Sequence, residues 1–145
     1  MKGALSKFGL VCAAIVLVIF AITGPMMLRG WWKLRTLNHA FSDYSQALRV
    51  KDYRAAYAFG SADFVKAASY EEFVKQLQGI ETRLGDLKVV TQGKTKVEGE
   101  GENPNWVGWI YAVHGYSRGK TDLVYEFHWE NDRWRLFGFR ELDAR

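Results

Sequence analysis

His39 and Asp43 are the first residues of this sequence whose types and spacing could support chemistry. They are four residues apart, so on a helix their side chains would be neighbours and could form an acid–base pair. Both residues lie beside the apolar stripe of the predicted helix, not on it. A His–Asp pair at such an edge is more often a solvated or hydrogen-bonded surface pair, so we predict no catalytic dyad here.

Metal binding and nucleophilic catalysis have equally little support. His114 and His128 fall on opposite faces of the predicted sheet, and no cluster of His, Cys, Asp and Glu has the spacing of metal ligands. Cys12 is the only cysteine and lies in an apolar segment, so a disulfide framework and a soluble thiol nucleophile are not expected. Gly99 and Gly101 alternate with glutamates, which would repel a phosphate group. We therefore predict no catalytic residue, no metal and no cofactor.

One set of polar residues could line a pocket. The predicted pairing of the C-terminal strands places His114, Tyr125 and Arg140 on the sheet face that the helices cover. These side chains could hold a small ligand by hydrogen bonds inside an otherwise apolar interior. No carboxylate of the strands lies beside them, so the set lacks an acid–base partner. It is the candidate ligand-binding site.

The opposite face of the same sheet is the second candidate site. Strand alternation places five apolar residues on it, namely Trp109, Tyr111, Val113, Phe137 and Phe139. A face in contact with water alone would not need so many aromatic side chains, which are enriched at the centres of protein interfaces. The alternative is that the chain's own C-terminus or first strand covers this face. We predict that the five residues form a partner interface.

The residues before Trp31 differ in kind from the rest of the chain. Phe8 to Leu28 carries no charge, and about 20 apolar residues in a helix match the roughly 30 Å hydrocarbon thickness of a bilayer. We therefore predict a short tail and a single transmembrane anchor in residues 1–30, followed by a soluble domain in residues 31–145.

A cleaved secretory signal is the alternative interpretation of this segment. Lys2 and Lys7 would be its basic start, and the apolar run would be its core. Ala21-Ile22-Thr23 is a poor cleavage site, however, and the apolar run continues beyond Pro25. These features favour an uncleaved anchor.

Positive charge flanks the apolar segment on both sides, so the charge bias alone does not orient it. A very short tail followed by a folded domain is the usual layout of a signal anchor. We therefore predict a single pass through the inner (plasma) membrane with a periplasmic domain. Trp31 and Trp32 follow the segment directly, where indole rings favour the interface between water and lipid.

The net charge of +4 and the pI of about 9.2 could suggest a nucleic-acid-binding protein. Lys2, Lys7 and Arg29 border the apolar segment, and they account for most of the excess of 20 basic over 16 acidic residues. In the soluble domain the two signs alternate, and no predicted helix carries a stripe of Lys and Arg with aromatics. We therefore predict no nucleic-acid partner.

Three helices are predicted at the start of the soluble domain. The first follows from apolar residues at helical spacing, namely Leu34, Leu37, Phe41, Tyr44 and Leu48. Asp52 can cap a short second helix that ends about Gly60. Ser69 and Glu72 form a capping-box pattern for the third helix, which ends at Gly85 because glycine tolerates a left-handed conformation.

Four strands are predicted after the helices. In order, they are Asp86 to Val97, Trp106 to Tyr116, Thr121 to Glu130 and Arg133 to Glu141, with a polar loop over residues 98–105 after the first. Two-residue turns at Arg118-Gly119 and Asn131-Asp132 fix the register of two antiparallel hairpins. The resulting cross-strand pairs are Ala112 with Tyr125, Ile110 with Phe127, and Trp129 with Trp134. We expect the two Trp to pack on the third helix.

This order of elements resembles the nuclear transport factor two-like superfamily. The resemblance is carried by the amphipathic helix from Leu34 to Leu48, by "KDYRAAYAFGS" and "SYEEFVKQLQGIETRLG", and by the closing hairpin "YEFHWENDRWRLFGFRE". It implies an α+β cone in which about three helices pack on a curved four-stranded antiparallel sheet. It also implies a fold that hosts isomerases, dehydratases and hydrolases in some families and non-catalytic binding or assembly in others. An anchor before such a domain is similar to small bacterial envelope proteins of unknown function.

The residues favour a membrane-tethered extracytoplasmic interaction or assembly module over an enzyme. Its predicted contact is the aromatic sheet face, which would meet either a second copy of the chain or another envelope protein. The alternative is a domain that binds a small apolar ligand, or an isomerase- or hydrolase-type enzyme, with a pocket inside the cone at His114, Tyr125 and Arg140.

Overall fold

The computed structural model describes residues 2–99 and 106–142. The predicted polar loop at residues 98–105 therefore lies, apart from its first two residues, outside the described residues. The protein is α+β and forms two compact units, Met1–Lys33 and Leu34–Arg145. The described helices are α1 (Lys2–Arg49), α2 (Tyr53–Tyr57), α3 (Ala62–Ala67) and α4 (Tyr70–Leu84), and the strands are β1 (Leu87–Glu98), β2 (Val107–Tyr116), β3 (Gly119–Glu130) and β4 (Arg133–Glu141).

The first unit is the N-terminal part of α1. From Ile15 onward this helix contains an 18-residue window with a mean hydropathy of 1.6, so by length and composition it could cross a membrane. The apolar side chains there are exposed in the isolated chain, with Leu17 and Met27 among them. Pro25 lies inside the helix. The predicted apolar N-terminal helix is thus present.

Side-chain caps define the ends of the helices in the second unit. The Asp52 carboxylate accepts from the backbone N–H of Ala55 at 2.9 Å and starts α2. Ser69 and Glu72 form the predicted capping box of α4. That helix ends at Gly85, whose φ of 84° lies in the left-handed region. Both predicted caps and the predicted stop are therefore confirmed.

Helix α3 is absent from the sequence prediction, which expected three helices in this domain and not the four helical segments described. The helix has six residues, of which only Phe64 is buried, and this is too short for a periodic pattern. Ser61 caps it by accepting from the N–H of Phe64. Two backbone bonds hold its start on β4, from Ser61 N to Leu136 O at 2.8 Å and from Leu136 N to Phe59 O at 2.7 Å.

The four strands form one antiparallel sheet in the order β1-β2-β3-β4. Asn131 and Asp132 have φ values of 48° and 60°, as a two-residue hairpin turn with positive φ at both central positions requires. Trp129 pairs with Trp134 across this hairpin, and their ring centroids are 5.4 Å apart. The predicted register of the last hairpin is thus correct next to its turn.

The register of the hairpin between β2 and β3 differs from the prediction by two residues. Tyr116 pairs with Gly119, so the turn is Ser117-Arg118, and Ile110 pairs with Tyr125. The turn is held there because the N–H groups of Ser117 and Arg118 donate to backbone carbonyl oxygens of the connection between α4 and β1. A shift of two residues leaves every side chain on its predicted face, because side chains alternate with a period of two.

A β-bulge between β3 and β4 changes the faces predicted for the end of β4. Phe127 pairs with Leu136, whereas its neighbour Glu126 pairs with Gly138, so one extra residue is inserted in β4. Phe139 therefore pairs with Tyr125 on the helix-covered face, and Arg140 lies on the opposite face. The predictions that Phe139 faces outward and Arg140 inward are wrong, because an inserted residue reverses the alternation beyond it.

The core lies between the helices and one face of the sheet. Its completely or almost completely buried side chains include Leu37, Phe41, Tyr44, Phe73, Ile110, Leu123, Tyr125, Phe127 and Leu136. The rings of Phe41 and Tyr44 lie 5.2 and 5.5 Å from the ring of Tyr125. Aromatic rings from α1 and β3 thus fill the middle of the domain.

The Trp129–Trp134 pair packs on α1 and not, as predicted, on the helix that carries Phe73 and Leu77. The indole N–H of Trp134 donates to the Thr36 hydroxyl at 3.1 Å. At the other end of β4, Arg83 of α4 forms an ion pair with Glu141 at 2.7 Å. The hairpin therefore has α1 at its turn and α4 at its open end.

Candidate functional site

His114 and Tyr125 form a buried polar pair inside the domain. The Nε2 atom of His114 lies 2.9 Å from the Tyr125 hydroxyl, and the two rings stack at 5.8 Å. Burial lowers the pKa of His114 to about 4 and raises the pKa of Tyr125 well above its usual range. Both groups are therefore neutral near pH 7, and the pair carries no charge that could balance an ionic ligand.

Two further buried polar atoms lie in the same region. Among the described residues, the Tyr44 hydroxyl and the Nδ1 atom of His114 have no hydrogen-bond partner. Burial raises the pKa of Tyr44, and it raises that of the nearby Tyr116 to about 12. These groups are neutral donors and acceptors surrounded by rings.

The predicted ligand site is only partly assembled. His114 and Tyr125 are in contact as expected, but Arg140 lies on the other face of the sheet, because the bulge reverses its direction. The interior pair therefore lacks the guanidinium that was expected to hold a ligand's charged group. What remains is a pair of neutral groups that can form hydrogen bonds.

The opposite face of the sheet carries an open groove, which we call the outer groove. Its volume is about 420 Å³, and its lining consists of Lys96, Trp109, Tyr111, Val124, Glu126, Phe137, Gly138, Phe139 and Arg140. All four strands contribute, so the groove is positioned by the sheet and not by a loop.

Aromatic rings form the walls of the outer groove, and polar groups hold two of them. The Lys96 ammonium lies 5.4 Å from the centroid of the Trp109 ring, where a cation is attracted by the ring face. On the other wall, the Phe137 ring stacks on His128 with centroids 4.1 Å apart and an angle of 1° between the planes. These contacts restrict both rings before any partner binds.

The bulge shapes the floor of the outer groove. Val124 is 6% exposed although it lies on the outward face, so its neighbours cover it. Gly138 faces Glu126 across the bulge, and a Cβ atom built on Gly138 would have no heavy atom within 4 Å outside Gly138 and its chain neighbours Phe137 and Phe139. The missing side chain at this position thus leaves space that the protein itself does not fill.

The charged groups of the outer groove are paired with one exception. Glu126 contacts the His128 ring at 2.7 Å, and Lys96 forms an ion pair with Glu98. Arg140 is exposed and, within the part of the chain that the structure describes, makes no hydrogen bond or ion pair. Arg140 is therefore the charged residue of the groove lining that has no polar partner among the described residues.

Four of the five residues predicted for a partner interface lie on the outward face. Tyr111, Val113 and Phe137 are 38%, 37% and 39% exposed, and Trp109 is half-buried beside Lys96. Phe139 is the exception, because its ring packs on Phe73 at 6.2 Å, although the residue also borders the groove.

Two charged residues of this sheet face, Arg135 and Glu130, form contacts with neighbouring elements. The Arg135 guanidinium donates to the carbonyl oxygen of Ala58 at 2.9 Å, and Glu130 accepts from the N–H of Ala62 at 3.4 Å. Both contacts hold the helices α2 and α3 against the sheet.

The sequence analysis did not identify Lys96, Val124 and Gly138 as residues of this site. Only Gly138 could have been recognised, since glycine within a strand is typical of a bulge.

No three His, Cys, Asp or Glu side chains within residues 15–99 and 106–142 are placed to hold a metal ion. The outer groove offers aromatic surfaces, the Arg140 guanidinium and hydrogen-bonding groups. Comparison of the chain with protein-family models and with curated protein sequences found no match.

Proposed function

We propose that this protein is a membrane-tethered interaction module that binds another envelope protein through the outer groove. The observation that carries the proposal is the grouping of Trp109, Tyr111 and Phe137 around an open space on a sheet face that no helix of the described domain covers. Such aromatic side chains have few rotatable bonds and lose little entropy when they are buried by a partner.

The cone-shaped fold of the nuclear transport factor two-like superfamily is part of this proposal. Helices that precede a four-stranded antiparallel meander support it. So do the three register shifts, since bulges bend strands; they lie between Leu87 and Val89, between Gln92 and Thr95, and between Glu126 and Phe127. In this fold the helices would occupy the concave side of the sheet, and the convex side would carry the outer groove.

The proposed location is the inner membrane, with a single pass and a periplasmic domain. It is supported by the apolar part of α1 and by Trp31 and Trp32, which are both exposed. A tether would strengthen a weak contact, because holding both partners at one membrane surface raises their effective concentration. A groove of moderate size could then be sufficient in the cell.

A ligand site or enzyme centre inside the domain is the less supported alternative. It would have to use the neutral His114–Tyr125 pair without Arg140, in an interior where the rings of Phe41 and Tyr44 pack on Tyr125. The outer groove offers open space and the Arg140 guanidinium, which has no polar partner among the described residues.

The proposal is tested by chemical crosslinking of the full chain in membranes. Trp109→Glu is expected to reduce crosslinks to partner proteins, because it places a carboxylate at the centre of the contact. Val65→Glu is the control, because it adds the same charge at an exposed apolar residue that lies on α3 and does not line the groove. Crosslinks that persist in a folded Trp109→Glu variant would eliminate this face as the contact, whereas equal losses in both variants would mean a general effect of the added charge.

A further inference from the structure

We propose that the outer groove takes an apolar side chain that is flanked by a carboxylate, both from a short segment of the partner protein, and that Arg140 pairs with that carboxylate. This inference rests on the proposed function and names the chemistry of its partner.

The charged residues of the groove indicate the sign of the charge expected on the partner. The Glu126 carboxylate is held by His128, and the Lys96 ammonium is held by Glu98. Arg140 is the charged lining residue that makes no hydrogen bond or ion pair among the described residues. A guanidinium presents a planar set of donors that matches a carboxylate in two parallel hydrogen bonds. The complementary group on the partner is therefore an acidic side chain or a terminal carboxylate.

The walls and the floor determine what lies beside that carboxylate. The Arg140 side chain shares the groove with Tyr111, Phe137 and the covered floor residue Val124. The volume of about 420 Å³ is within the range of about 300–1,000 Å³ that is typical of pockets for small ligands. It is therefore large enough for one or two apolar side chains. An apolar residue next to Asp or Glu fits both features.

The open position at Gly138 makes the groove deep enough for such a side chain. Because no residue other than its chain neighbours has an atom within 4 Å of a Cβ built there, a side chain at this position would have space to project into the groove. Its φ is not in the left-handed region, so a side chain is compatible with the backbone. Gly138→Leu is thus expected to fill the site and leave the fold intact.

A second copy of the chain is a poorer occupant than a different protein. A symmetric dimer centred on the groove would use the same patch on both subunits. It would bring the two Arg140 guanidinium groups close together, while the Glu126 carboxylate of each copy already accepts a hydrogen bond from its own His128. Like charges at an interface oppose association.

The test is selection of random peptides displayed on phage against the full chain in lipid nanodiscs. Wild type is expected to enrich peptides in which an aromatic or aliphatic residue is flanked by Asp or Glu. Arg140→Glu should change the enriched flanking residues from acidic to basic, because it reverses the charge that selects them. Gly138→Leu should weaken binding of an enriched peptide by about tenfold or more. Gly79→Leu is the matched control, because Gly79 also has open space around its Cβ position but lies on α4.

The outcomes separate this inference from the proposed function. Peptides that are enriched without acidic flanks, and lost with Gly138→Leu, would overturn the role of Arg140 and leave the groove as a protein contact. Binding of vesicles that contain phosphatidylglycerol, dependent on Arg140 and without any peptide enrichment, would overturn the choice of a protein segment. Failure to enrich any peptide, together with membrane crosslinks that Trp109→Glu does not change, would overturn both proposals.

Discussion

Glu126 lies opposite Gly138 across the bulge between β3 and β4, and this pairing determines which side chains meet on each face of the sheet. Because one residue is inserted in β4, Phe139 packs into the core against Tyr125, and Arg140 emerges beside Val124 on the outward face. The bulge thus adds an aromatic ring to the core and a guanidinium to the groove.

The buried histidine makes the stability of the fold depend on pH. The pKa of His114 is about 4 in the folded protein because of burial, whereas its ordinary value is 6.5. Between these values the unfolded chain binds a proton that the folded chain does not, so stability falls as the pH drops from 6.5 to about 4. The loss is about 3 kcal/mol and is complete below the lower value. Above pH 6.5 the ring is neutral in both states and contributes no dependence.

The measurement is the free energy of unfolding by urea of the detergent-solubilised chain, at about pH 7.5 and about pH 4.5. His114→Gln is the reference variant. It retains the acid-sensitive carboxylates of Glu72 and Asp86, whose pKa values are lowered by hydrogen bonds with Ser69 and Lys51. Wild type should lose more stability than the variant on acidification. Equal losses would contradict a buried, neutral His114.

Trp134→Ala should strongly destabilise the domain. The side chain is buried between Trp129 and α1 and donates to Thr36, so its removal leaves a cavity and removes this hydrogen bond. Aromatic-to-alanine changes in cores cost about 3–5 kcal/mol. Trp134→Phe retains much of the volume and should cost less. A melting midpoint of the alanine variant within about two degrees of wild type would show that the ring is not part of the core.

Gly85 and Gly79 should respond oppositely to replacement by alanine. Gly85 has a φ of 84°, and a Cβ atom there would overlap the Ser117 hydroxyl, so Gly85→Ala should cost about 1–3 kcal/mol. Gly79 lies within α4 with open space around it, so Gly79→Ala should add about 0.5–1 kcal/mol of stability. Urea unfolding of the two variants measures whether each substitution lowers or raises the stability. Equal effects would contradict the assigned end of α4.

The N-terminal apolar segment should remain in the mature protein if it is an anchor. Intact mass spectrometry of the membrane-extracted protein should then give a chain that includes residues 8–28, close to 16.6 kDa in total. A mature chain that starts near Gly24 would show that the segment is cleaved and that the domain is released from the membrane.

Local rules of the sequence predicted the elements that depend on few neighbours. The capping box of Ser69 and Glu72, the stop at Gly85 and the Asn131-Asp132 turn each involve backbone groups within a few residues. Such features can be predicted from the sequence because the groups that cause them lie within the same few residues.

Features that depend on distant contacts were not predictable in this way. The Ser117-Arg118 turn is held by carbonyl oxygens of Leu84 and Asp86, and α3 is held by backbone bonds to Leu136. The bulge at Gly138 reversed the faces of two candidate site residues, because strand alternation carries no sign of an inserted residue. The outer groove therefore differs from the predicted patch in the residues that give it depth and charge.

The most direct measurement of the proposed function is photo-crosslinking from inside the outer groove in intact membranes. A photoreactive phenylalanine analogue is placed at Tyr111, which lines the groove and is exposed. We expect an adduct with a different envelope protein, its loss when Gly138→Leu fills the groove, and its retention with Gly79→Leu. Adducts that are absent, or that persist unchanged in the folded Gly138→Leu variant, would contradict the assignment of the groove as the contact.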